Sequence, residues 1–129
     1  MIELTNIICF DVDQTLVRWR DYNHNTKPMV NSDGTTVFFE PFDSHIKYLK
    51  QLKEKGHTIL VWSKAGKNHA KRIVTILELN DFVDVVADKP SCYFDDVPVE
   101  KWIGPRIFVD IGGEVTNLRA AEDLLCLKV

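Results

Sequence analysis

The 129-residue chain has only three cysteines, Cys9, Cys92 and Cys126, which are far apart and form no Cys-x-x-Cys pair. An odd, scattered set argues against a disulfide framework or a zinc site and sets a reducing intracellular compartment as the expectation. Long hydrophobic runs are missing too. The longest, such as Ile7–Phe10 and Ile59–Trp62, are far too short to span a bilayer. Met1-Ile2-Glu3 shows neither the basic region nor the apolar stretch of a signal peptide. A soluble, cytoplasmic protein with no membrane partner is expected. Nor is there an excess of positive charge: 16 basic against 19 acidic residues leave a net charge of −3, so no global basic field marks a nucleic-acid binder. Low-complexity and collagen-like chains are excluded by 5 Pro, 6 Gly and a 45% hydrophobic content. With neither repeat nor linker, residues 1–129 read as a single domain.

Charge is uneven along the chain. Residues 47–72 carry eight basic side chains (Lys47, Lys50, Lys53, Lys55, Lys64, Lys67, Lys71 and Arg72) against one acid, Glu54. The first four lysines read as the solvated face of a helix. Lys64 and Lys67 flank a candidate phosphate site.

Short apolar runs mark the strands: Ile7–Phe10, Ile59–Trp62, Val83–Val86, Tyr93-Phe94 and Ile107–Val109. Continuous apolar character is what a strand buried on both faces requires. Between the first two, Pro41 and the capping candidates Asp43 and Ser44 open a helix on which Ile46, Leu49 and Leu52 recur, and Gly56 ends it. A second helix is predicted over Lys67–Leu79, with Ala70, Ile73, Val74 and Leu77 facing the core, and a third over Asn117–Leu127. Strands alternating with helices predict an α/β fold, a three-layer Rossmann-like parallel sheet with helices on both faces.

Residues 17–40 break the alternation, being too long for a simple strand-to-helix loop. Asn31-Ser32-Asp33-Gly34 is a turn signal between Met29-Val30 and Thr36–Phe39. A small β-hairpin flap above the carboxyl edge of the sheet is expected, rooted by Arg18, Trp19, Arg20 and Tyr22; a surface ornament packed on its own sheet is the alternative.

In an open parallel sheet, ligands bind beyond the carboxyl ends of the strands. The residues there are Asp11-Val12-Asp13-Gln14-Thr15, Ser63-Lys64, Asp88-Lys89-Pro90, Asp95-Asp96 and Asp110 with Gly112-Gly113. Two carboxylates at i and i+2 past a strand repel each other unless a cation lies between them, and a hard divalent ion such as Mg²⁺ relieves that repulsion. One carboxylate is then placed for in-line attack on a phosphoryl group. The second can protonate the leaving oxygen and later deprotonate water. A hydroxyl and a lysine complete a cradle for the phosphoryl oxygens.

These residues resemble the haloacid dehalogenase (HAD) superfamily of aspartate-nucleophile phosphohydrolases, in its small, capless or minimally capped form. Ile7–Thr15 matches the superfamily's Asp-x-Asp-x-Thr motif, and Ser63 its strand-ending Ser/Thr. Lys89 matches its lysine and Asp95-Asp96 its acidic pair. The resemblance implies Asp11 as nucleophile, Asp13 as general acid/base and Thr15 as the residue orienting the loop. Ser63, Lys64 and Lys89 would bind the phosphoryl group. Mg²⁺ would be held by Asp11, the carbonyl of Asp13, Asp95 and Asp96. Asp110 with Glu114 is a rival for the last motif, since it ends a more convincing strand, Arg106–Val109, while only Ser91 and Cys92 separate Lys89-Pro90 from Tyr93.

The expected substrate is a phosphate monoester. An open site suits a protruding phosphate such as a nucleic-acid end, or needs a neighbouring subunit as lid and hence a homo-oligomer; nucleotides and sugar phosphates fit as well. Arg18, Arg20 and Lys27 with Lys64 and Lys67 offer a second phosphate subsite. The alternative is a non-catalytic HAD-like or receiver-like phosphate and Mg²⁺ binding module. His24, His45, His57 and His69 lack ligand spacing and read as ordinary surface residues, and Trp102 as packing on the core.

Overall fold

A computed structural model describes residues 6–103. The expected strand Arg106–Val109, the helix Asn117–Leu127, the Asp110/Glu114 pair and Cys126 lie outside the described residues. The elements run β1 (Ile7–Asp11), β2 (Val17–Arg20), β3 (Lys27–Val30), β4 (Thr36–Pro41), α1 (Asp43–Glu54), β5 (Thr58–Ser63), α2 (Lys67–Ile76) and β6 (Val85–Asp88), followed by a short 3-10 turn at Val99–Lys101. Among the described residues, no helix is long and apolar enough to cross a membrane.

Two sheets result. The first is parallel, in the order β1-β5-β6. Along β5 burial alternates: Ile59, Val61 and Ser63 are buried, while Thr58, Leu60 and Trp62 are half-covered. Both α1 and α2 contact β5, and two right-handed crossovers stepping the same way along a sheet place their helices on the same face. The described residues therefore build one helical layer on the sheet. A second helical layer, expected from the third helix, lies outside them.

The second sheet is antiparallel, in the order β2-β4-β3, and takes up residues 17–41. Its β3–β4 connection is closed by Asn31 N–H donating to Thr35 O and Gly34 N–H to Asn31 O, with Gly34 at φ 87°. The Asp33 carboxylate accepts from both the backbone N–H and the hydroxyl of Thr35, which holds it below the usual carboxylate range. Val17, Met29 and Phe39 from this sheet are buried in one core cluster with Leu49, Ile59, Val61 and Ile73, so the sheet is part of the core.

The α1 helix buries Leu49 and Leu52 as predicted, together with His45. Its N-cap is Phe42, without a side-chain cap, and Asp43 falls in the first turn instead of capping. Gly56, at φ 99°, ends it. The α2 helix stops at Ile76, short of the predicted Leu79. Glu78 adopts φ 59°, so that Leu79 N–H bonds back to Val74 O and its side chain is buried. The same left-handed stop thus falls on a glycine after α1 and on a glutamate after α2.

Tyr93-Phe94 does not form the expected strand. A parallel strand needs a crossover of about a dozen residues, and the few after β6 cannot supply one. Phe94 is fully exposed, and Trp102, expected in the core, is half-exposed and meets the Tyr93 ring edge-on. The strand read at Val83–Val86 is shifted to Val85–Asp88. Cys9, inside the apolar run of β1, is half-buried, and that burial raises its thiol pKa.

Asp84 ties α1 to the sheet. Its carboxylate accepts from Lys53 Nζ at 2.6 Å and from Ile59 N–H at 2.8 Å. The Lys53 bond, then the Ile59 bond, hold its pKa below the usual carboxylate range. A depressed folded-state value means that the stabilisation is complete above the unfolded-state pKa and is lost as pH falls through the folded one. Below about pH 4 the stability of the wild type should drop more steeply than that of Asp84→Asn, measured by urea unfolding at stepped pH. Glu78→Gly should raise stability by about 1 kcal/mol by removing the left-handed penalty, read from the same unfolding curves at neutral pH.

Candidate functional site at the carboxyl edge of the parallel sheet

Register brings the strand ends together. Asp11 pairs with Trp62 at the end of β1, and Ser63 with Asp88 at the end of β5. The chain leaving β1 turns at once around a single atom. The Val12 carbonyl accepts from the N–H groups of Thr15, Leu16 and Val17, while Gln14 N–H donates to Val17 O. Gln14 sits at φ 60° to make this possible. Val12, Leu16 and Val17 are fully buried, so the apolar side chains anchor the loop while Asp11, Asp13 and Thr15 stay partly accessible.

His45, on α1, holds the same loop from below. Its Nδ1 lies 2.6 Å from the Thr15 carbonyl, which assigns the proton to Nδ1, because only a donor can approach a carbonyl oxygen. The ring is buried.

Five of the residues singled out above converge here. Thr15 Oγ1 is 3.4 Å from Asp11 Oδ2, and Lys89 Nζ is 3.8 Å from Asp11 Oδ1. Ser63 Oγ is 3.3 Å from Asp13 Oδ2 and accepts from Ala65 N–H at 3.0 Å. Lys89 N–H donates to the Ser63 carbonyl, which carries the lysine past β6 to the Asp11 carboxylate. Ser63 is a buried strand end and not the N-cap of α2; that position is Gly66, at φ 108°. Asp88 caps the helix from the neighbouring strand, its Oδ1 accepting Lys67 N–H at 2.6 Å.

Two further side chains close on Asp13. Trp19 Nε1–H donates to Oδ1 at 2.8 Å, and His69 Nε2 is 3.1 Å from the same oxygen. His69 was expected on the surface and is instead part of this cluster. Its usable signal was position: it lies in the first turn of the helix that follows Ser63, the turn nearest the strand end. His45 and His57 were also expected on the surface and are buried. Spacing along the chain, which bears on metal ligation, carries no information on burial.

Other predicted residues stay apart. Lys64 is exposed. Asp95 and Asp96 are exposed in an irregular segment, where Asp95 Oδ1 accepts Val97 N–H at 3.0 Å. Among the described residues, no group of three or more His, Cys, Asp or Glu side chains could hold a metal ion. Of the proposed second-phosphate residues, Arg20 is paired with Glu40 at 2.7 Å, and the Arg18 guanidinium lies over the Phe42 ring, 4.8 Å from its centroid.

Compared with known proteins, the chain matches no family model and no curated relative. His45→Phe keeps a ring of similar bulk and leaves the Thr15 carbonyl without its donor. It should cost about 1–3 kcal/mol, measured as a lower urea midpoint at unchanged slope.

Proposed function

We propose that the protein is a Mg²⁺-dependent phosphohydrolase that removes a phosphate monoester through an aspartyl-phosphate on Asp11. The observation that carries this reading is the convergence of Asp11, Asp13, Thr15, Ser63 and Lys89 at the carboxyl edge of one parallel sheet. The chemistry of each fits its place. An Asp11 oxygen attacks phosphorus in line with the ester oxygen, and the phosphorus–oxygen bond to the leaving group breaks. Asp13 gives its proton to the departing oxygen. It then takes a proton from water, which attacks the acyl phosphate, releases inorganic phosphate and restores the Asp11 carboxylate. Ser63 Oγ and Lys89 Nζ bind the equatorial oxygens, where charge spreads during transfer.

The donors available suit a hard cation. Asp11 offers a carboxylate, and the Asp13 carbonyl accepts no hydrogen bond among the described residues, although the neighbouring Val12 carbonyl accepts three. When bound there, Mg²⁺ would neutralise charge between the nucleophile and the phosphoryl oxygens. Further acidic ligands are sought in Asp95 and Asp96, or in Asp110 with Glu114. Alanine replacement at each, read as Mg²⁺ affinity by calorimetry, assigns them.

In this reading the antiparallel sheet of residues 17–41 is not the expected hairpin flap: it is three-stranded, shares the core and borders the site through Trp19, which leaves the site open. An open cleft favours a protruding phosphate, such as a nucleotide or a nucleic-acid end. The alternative is a phosphate- and Mg²⁺-binding module without turnover. The two readings part on phosphate release from a panel of nucleotides, sugar phosphates, phosphopeptides and end-phosphorylated oligonucleotides. Mg²⁺-dependent release is expected, with a loss of at least about 100-fold in Asp11→Asn. Mg²⁺ binding with no release from any substrate would leave the binding module.

A further inference from the structure

We infer that Trp19 and His69 are positioning residues that fix which oxygen of Asp13 exchanges the proton; this rests on the phosphohydrolase reading above. The two Asp13 oxygens stand in different surroundings. Oδ1 accepts Trp19 Nε1–H at 2.8 Å and faces His69 Nε2 at 3.1 Å. Oδ2 accepts a long bond from Ser63 Oγ, at 3.3 Å, on the side where the phosphohydrolase reading places the phosphoryl group. An oxygen taking two N–H donors has its lone pairs engaged, so Oδ2 is the one left to carry and exchange a proton.

The donors are held firmly. Trp19 stands in β2 opposite Phe39 of β4, whose buried ring meets the indole edge-on with centroids 5.6 Å apart. The imidazole of His69 lies 6.0 Å from the indole with the ring planes 31° apart. For His69 to donate, Nε2 must bear the proton, which the acceptor-only Asp13 carboxylate favours. One donor comes from the antiparallel sheet and the other from the helix after Ser63, so the acid is held at the seam between them.

The chemical consequence is specific. As the leaving oxygen takes the proton, the Oδ2–H bond breaks and its electron pair stays on the carboxylate. That charge is shared with Oδ1, where two N–H groups are already aimed and need not reorganise. This matters most when the leaving group is a poor one that must be protonated to depart. An alkyl phosphate depends on the acid, whereas an aryl phosphate, with a stable phenolate leaving group, depends on it far less.

The test uses the full chain in two arms. In the first, the indole N–H resonance of Trp19 is assigned by its disappearance in Trp19→Phe and followed by ¹H–¹⁵N NMR. In Asp13→Ala it should shift, while those of Trp62 and Trp102 stay in place; an unmoved Trp19 resonance overturns the anchoring of Asp13. In the second arm, His69→Ala and Trp19→Phe are assayed on an alkyl phosphate and on p-nitrophenyl phosphate. The kcat ratio, aryl over alkyl, should rise about tenfold or more, within the range that acid catalysis supplies, with KM changing less than kcat. His69→Gln, which keeps a donor at similar reach, should restore much of the ratio. Equal losses on both substrates, or no rescue by glutamine, would overturn the positioning role and leave a structural one. Absence of turnover by the wild type on every substrate would instead overturn the phosphohydrolase reading and the kinetic role with it, while the indole shift still decides the contact.

Discussion

The turn around the Val12 carbonyl is the junction on which the rest of the molecule depends. Three N–H groups converge on that one oxygen, reversing the chain within a few residues of β1. The reversal does two things at once. It leaves Asp11 and Asp13 at the carboxyl edge of the parallel sheet, and it launches β2 into the antiparallel sheet with Leu16 and Val17 buried beneath. Leu16 O then accepts Phe42 N–H, and Thr15 O meets His45. Both ends of α1's entry are therefore tied to the loop that presents the carboxylates. A left-handed Gln14 is the local strain this arrangement carries, a conformation that costs a non-glycine residue about 1–2 kcal/mol.

From that junction, positioning passes outward through backbone. In-register pairing of β1 with β5 and of β5 with β6 sets Asp11, Ser63 and Asp88 along one edge. Lys89 follows by one residue, and its own N–H is bonded to Ser63 O. Asp88 spends its carboxylate on the start of α2, so the helix is seated with His69 turned toward Asp13. The side chains that would do chemistry are thus held by elements whose own hydrogen bonds lie elsewhere. For the phosphohydrolase proposed above, this would supply the pre-organisation that positioning requires.

Much of this was legible before the fold was known, for a physical reason. Apolar runs ending in Asp, Ser or Lys announce strands with polar carboxyl ends, and both β1 and β5 fall where those runs lie. Periodicity located α1 and the body of α2, and Gly56 marked the stop of α1. The misses share a cause. Tyr93-Phe94 has the composition of a strand but no room for a crossover, and composition does not count the residues a return path needs. Glu78 ends α2 in a conformation usually left to glycine, because burying Leu79 outweighs the local cost. His45 and His69 were invisible to a search for metal-ligand spacing, since one holds a carbonyl and the other faces a carboxylate.

The sequence by itself determined the succession of β1, α1, β5, α2 and β6, the pairing of Asp11 with Asp13 across one residue, and the polar identity of those strand ends. These depend on local periodicity and on turn chemistry, which neighbouring residues settle among themselves. Only the tertiary structure decided which of those ends meet. It brought Ser63 to Asp13 across fifty positions of chain and His69 across fifty-six. It also set Trp19 on the same carboxylate and left Asp95 and Asp96 in solvent. Contacts of that kind are made by sheet register and helix seating, which follow from how the buried faces of Val12, Phe39, Ile59 and Ile73 fill one core. No residue's own neighbourhood in the chain encodes that fit.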